Sequence, residues 1–66
     1  MMKNKDYIVK QHLELGKKRT YLFEFKSLPP SDEEIENLCL AHDYLFQPTF
    51  KVDKENNTIL YSGWID

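Results

Sequence analysis

With 66 residues, 41% of them hydrophobic and 30% charged, and a formal net charge of −2, the sequence has the balance of a folded protein and excludes a disordered or fibrous one. The length excludes a second domain, and a core this small supplies only about 3–5 kcal/mol unless a disulfide, a metal or a partner chain adds to it. Cys39 is the one cysteine, which excludes an intramolecular disulfide and makes self-association the expected source of extra stability.

The net charge hides an asymmetry. Residues 1–27 hold seven Lys/Arg against three Asp/Glu, and residues 28–66 hold two against eight, so the halves carry +4 and −6. A bipolar chain suits head-to-tail self-association or a charged partner on one face, although solvated surface charge is the plainer reading. Met1-Met2-Lys3-Asn4-Lys5 runs into Asp6 without an apolar stretch, and no run reaches membrane-spanning length. With a lone thiol as well, the expected location is the cytoplasm. Eight lysines to one arginine and a single alanine suit an AT-rich coding sequence, which points to a low-GC bacterium, its phage or another mobile element.

Residues 1–66 read as one α+β domain of ββαββ order, with strands at 6–15, 19–27, 46–53 and 58–65 and a helix at 31–45. Alternation in the first strand sets Tyr7, Val9, Leu13 and Leu15 on one side, and Lys10, His12 and Glu14 on the other. Gly16 with Lys17 and Lys18 turns the chain, and Tyr21, Phe23 and Phe25 then share a face opposite Leu22, Glu24 and Lys26. Pro29-Pro30 ends this strand. Ser31 and Glu34 form a capping box, with Asp32 and Glu33 at the positive end of the helix dipole. At 100° per residue Ile35, Leu38, Ala41, His42 and Leu45 form one stripe, with Cys39 at its margin, to pack on the Tyr21/Phe23/Phe25 face. Pro48 stops the helix and marks an edge strand, which Phe50 and Val52 continue. Asp53 to Asn57 turn, and Thr58 to Ile65 form the last strand, with Ile59, Tyr61 and Ile65 facing one way and Leu60, Ser62 and Trp64 the other. The product is one helix on a mostly antiparallel four-stranded sheet.

Little in the chain points to chemistry. Cys39 and His42 are spaced to share a helix face, yet a structural zinc needs four ligands and His12 is the only other nitrogen or sulfur donor of that kind. A small buried thiol and a histidine at the rim of the core explain the pair better. Asp32, Glu33, Glu34 and Glu36 crowd the first helical turns, where capping accounts for them without acid/base work. No phosphate loop, nucleophile elbow or His-Glu-x-x-His motif occurs. No catalytic residue, metal or cofactor is therefore expected, and no enzymatic activity.

The expected working surface is instead the sheet face turned away from the helix, carrying Ile8, Leu22, Leu60 and Trp64, with Leu40 and Tyr44 on the outer side of the helix as a second patch. This makes the chain a small protein-interaction module of the regulatory or inhibitor kind, binding a second copy of itself or another protein. The alternative is a nucleic-acid-binding domain that uses the hairpin tip Lys17-Lys18-Arg19, with Lys3, Lys5 and Lys10 nearby and aromatic strands for stacking. A sequence pI near 5.6 weighs against it. A third possibility is that the acidic half mimics a nucleic acid or fills a basic groove.

Overall fold

The computed structural model describes residues 6–66. β1 spans Tyr7–Leu15, β2 Lys18–Phe25, α1 Asp32–His42, β3 Phe46–Asp53 and β4 Thr58–Trp64. This is the expected α+β, ββαββ architecture, and every strand pairing is antiparallel. The strand order, which alternation alone does not fix, is β1-β2-β4-β3. α1 carries the chain from β2 across one face to the far edge, and β4 then returns through the slot between β2 and β3.

Both hairpins are closed by residues that tolerate the left-handed region. Gly16, at φ 61°, lies in the two-residue turn that closes on the Leu15–Lys18 pair, where the absence of Cβ removes the steric cost. In the second turn the Asp53 carboxylate accepts from the backbone N–H of Glu55 at 3.0 Å and of Asn56 at 3.3 Å, and from the Asn56 side-chain amide at 2.9 Å. Asn57 follows at φ 56°, in keeping with the ability of Asn to turn the chain.

Ser31 starts α1, its Oγ accepting from the Glu34 N–H at 3.2 Å, which satisfies a backbone donor that the helix leaves open. The helix stops at His42 rather than at residue 45. Asp43 turns to an extended backbone at φ −158° because the sheet holds it from two sides: its carboxylate is bonded by Tyr21 and Arg19, and its carbonyl accepts from Tyr61 Oη at 2.7 Å. Leu45 therefore enters the core from irregular chain, its N–H donating to Tyr61 Oη at 3.3 Å.

That early stop corrects the expected helix stripe. Ile35 and Cys39 are the buried residues of α1, while Leu38 is half-buried and Ala41 and His42 are exposed. Cys39 is central, not marginal, and is fully buried. The core comprises these two with Leu45, Tyr21, Phe23 and Phe25 of β2, and Ile59 and Tyr61 of β4. Phe23, Phe50 and Tyr61 lie nearly parallel across the strands, Tyr61 being 5.2 Å from Phe50 and 6.3 Å from Phe23 between ring centroids.

Gly63 is set by close approach. A Cβ there would lie 2.6 Å from Leu45 Cβ and 3.0 Å from the Phe46 carbonyl oxygen, so any side chain would push Leu45 out of its place. Gly63→Ala is expected to destabilise the fold by about 1–3 kcal/mol, read from urea unfolding monitored by circular dichroism.

Candidate functional site

The face assignments of β1 turn on one irregularity. Its register against β2 shifts between Val9 and Gln11, so Lys10 and Gln11 together oppose Leu22 in a β-bulge. Past the bulge every side chain changes sides relative to simple alternation. Tyr7 and Val9 face α1 as expected, but Leu13 and Leu15 do not join them. His12 and Glu14 take the helix side instead: His12 is opposite Tyr21, ring on ring at 4.5 Å and 9°, and Glu14 is opposite Arg19.

The bulge thereby adds Leu13 and Leu15 to the open face. Read across from β1 to β3, the first row of that face is Leu15, Lys18, Trp64 and Phe46, and the second Leu13, Thr20, Ser62 and Thr49. Gln11, Leu22, Leu60 and Lys51 form the third, and Ile8, Glu24, Thr58 and Asp53 the last. The expected face residues Ile8, Leu22, Leu60 and Trp64 are thus brought together, and Leu13, Leu15 and Phe46 belong with them. Exposure is 76% at Leu15, 60% at Ile8, 58% at Leu13 and 43% at Trp64. Polar groups interleave: Thr49 and Ser62 share a hydroxyl hydrogen bond at 2.8 Å, Lys18 Nζ lies 5.6 Å from the centre of the Trp64 ring, and Lys10 is 3.8 Å from Glu24. Trp64 lies on this face and does not belong to the core.

The second expected patch does not form as drawn. Leu40 is half-buried and packs against the core, because the helix lies rotated toward Cys39. Tyr44 is exposed and lies beyond the helix end, its ring 6.0 Å from Phe46 and edge-on to it. The hairpin-tip cations are likewise separated. Lys17 is exposed in the turn, Lys18 belongs to the open face, and Arg19 reaches across the helix side to Asp43 at 2.9 Å. Lys3 and Lys5 lie outside the described residues.

Asp43 is the hub of the helix side. Burial opposes its ionisation, but the hydrogen bonds from Tyr21 and Arg19, with the guanidinium charge, outweigh this and hold the carboxyl below its usual value. Burial, then the bond and charge of Asp43, push the Tyr21 hydroxyl up to about 12, so it stays a donor. Arg19 Nε lies 3.6 Å from Glu14 Oε2, and His12 Nε2 is 3.1 Å from the same oxygen. His42 sets its ring edge-on to Tyr21 and Phe23, each at 5.1 Å between centroids. Cys39 is fully buried and its thiol is pushed up to about 12 by that burial, so it is neither a thiolate nor within reach of solvent. Among the described residues, no three of His, Cys, Asp and Glu converge as a metal site, and no helix is long and apolar enough to cross a membrane.

No family model, curated protein or solved structure matches this chain. The sheet has two unlike faces, one sealed by α1 and knotted at Asp43, the other open and carrying large apolar groups.

Two outcomes follow. Since the folded-state value of Asp43 lies below that of the unfolded chain, its contribution is present above about pH 4 and is lost as pH falls through the folded-state value. Asp43→Asn should cost about 1–3 kcal/mol at pH 7, and the gap to the wild type should close below about pH 4, as followed by urea melts across pH. A thiol reagent should label Cys39 only at the rate of unfolding, with labelling becoming immediate in denaturant.

Proposed function

We propose that this protein is a non-enzymatic interaction module that works in the cytoplasm by pairing with a second copy of itself through the open face of its sheet. The observation that carries this reading is the placement of Leu13, Leu15, Leu22, Leu60, Trp64 and Phe46, interleaved with Lys18, Thr20 and Ser62, on a face that α1 does not cover. Several large apolar groups on one uncovered face, with tryptophan among them, are a contact surface more than incidental exposure. A two-layer chain of this length also gains most from a second copy, because its own core is small.

The charges on the face favour a like partner. Lys18 lies at one end of β2 and Glu24 at the other, and on β1 Leu15 and Ile8 occupy the same two ends. A copy turned end for end brings Glu24 over Lys18 and Ile8 over Leu15, in both directions, at the spacing of about 10 Å typical of stacked sheets, and sets Trp64 over Thr58 and Leu60 over Ser62. The sealed thiol and the carboxylate spent in the Asp43 network support the non-enzymatic part of the reading. Nucleic-acid binding through Lys17, Lys18 and Arg19 has less support, since Arg19 is committed to Asp43 and Lys18 lies on the opposite face of the sheet from it.

Sedimentation equilibrium over a concentration and salt series tests the proposal. A dimer that survives high salt is expected. Trp64→Ala should weaken it about tenfold or more, and Leu60→Lys should give a folded monomer. A wild-type protein that stays monomeric at high concentration would overturn it. Charge reversal at Lys17 and Lys18 should leave the dimer intact, whereas salt-sensitive retention on nucleic acid that this reversal abolishes would favour the alternative.

A further inference from the structure

We infer that β1 is a second, separate assembly surface, at which two copies pair edge to edge through Gln11–Leu15 about a two-fold axis at Leu13. This goes beyond the face contact, since it uses the rim of the sheet and its backbone.

Among the described residues β1 is an outer strand, paired only with β2, and all but Tyr7 of its nine residues are exposed. The two-residue turn closes on Leu15–Lys18, so that pair exchanges both of its backbone hydrogen bonds. Bonded and non-bonded pairs alternate along an antiparallel ladder. The backbone N–H and C=O of Leu15, Leu13 and Gln11 therefore point toward β2, while those of His12 and Glu14 point outward. The bulge at Lys10 limits the usable edge on one side and the turn at Gly16 limits it on the other.

Within those limits the segment is complementary to itself. Laid antiparallel on a second copy and centred on Leu13, it sets Leu13 against Leu13 on the open side, and His12 against Glu14 on the helix side in both directions. The outward-facing groups of His12 and Glu14 then exchange backbone bonds with each other across the axis. His12 and Glu14 are already companions within one chain, at 3.1 Å, and pairing doubles that arrangement. Moving the axis to Glu14 would oppose two carboxylates, and moving it to His12 two imidazoles, so the sequence selects one register. The outer edge of β3 is interrupted at its start, since Pro48 has no N–H to give and the ladder is shifted between Phe46 and Thr49.

Leu13→Cys tests the contact directly. In a non-hydrogen-bonded antiparallel pair the Cα atoms are about 4.5 Å apart, within the range a disulfide spans. Mild oxidation should therefore convert this variant to a covalent dimer, while the wild type, whose thiol is sealed, and Lys17→Cys should remain largely unlinked. Glu14→Lys in the Leu13→Cys chain should slow cross-linking about tenfold by removing the carboxylate that faces His12 of the other copy, and adding His12→Glu should restore it by setting a carboxylate against the new lysine. The same cross-link should form in the Leu60→Lys background, which separates this contact from the face dimer. Cross-linking no faster than in Lys17→Cys, or lost with Leu60→Lys, would overturn the inference. In the unmodified protein, the His12 and Glu14 amides should gain protection from hydrogen exchange as concentration rises, and exchange independent of concentration would overturn it as well.

Discussion

One helix must serve a four-stranded sheet, and the rest of the molecule follows from that limit. Eleven helical residues make a rod about 16 Å long and about 10 Å wide. Outer strands of a four-stranded sheet are about 14 Å apart, so α1 can seal one face over β2 and β4 and can do nothing for the other. Apolar burial is the dominant favourable term in folding, and this chain concentrates it under the helix, where Phe23, Cys39, Ile59 and Tyr61 have no exposed surface. The opposite face keeps a second set of apolar groups that folding of one chain leaves wet.

The covered face is tied to the end of α1 through Asp43. By bonding Tyr21 and Arg19 of β2 and accepting from Tyr61 of β4, this residue fixes where the helix ends against the two central strands. It also accounts for the route of the chain into β3: Leu45 drops into the core, Gln47 adopts φ 50°, and Gly63 leaves room for the crossing. A polar cluster that resembles a reactive site in composition, with histidine, tyrosine, arginine and two carboxylates, is accounted for by the termination of a helix. Its groups pair with one another except at Arg19 Nε, which is buried without a hydrogen-bond partner, and the tyrosine is held in its protonated form.

Much of this was legible in the residues themselves, because local rules produced it. Ser31 and Glu34 gave the helix start, Gly16 and Asp53 to Asn57 gave the turns, and alternation in β2 and β4 assigned Phe23, Ile59, Tyr61, Leu60 and Trp64 to their correct faces. The errors share one cause, namely contacts between elements distant in sequence. Leu13, Leu15, His12 and Glu14 changed faces because a bulge at Lys10 interrupts the period, and nothing in the composition of Val9-Lys10-Gln11 announces it. The helix ended early because Asp43 answers to Tyr21, Arg19 and Tyr61, which lie far along the chain. Leu40 moved inward for a related reason, as the helix is rotated toward a small thiol rather than toward Leu38 and His42.

The two rims of the sheet are not equivalent, and the kink at Gln47 and Pro48 has a consequence for how far the molecule can grow. A sheet that is receptive at both borders adds copies without end, which is the route to fibres. Here the β3 border lacks an amide hydrogen at Pro48 and its ladder is shifted between Phe46 and Thr49, so a straight strand laid along it would find the row of donors broken there. The proline that interrupts β3 thus works against growth of the sheet at that border.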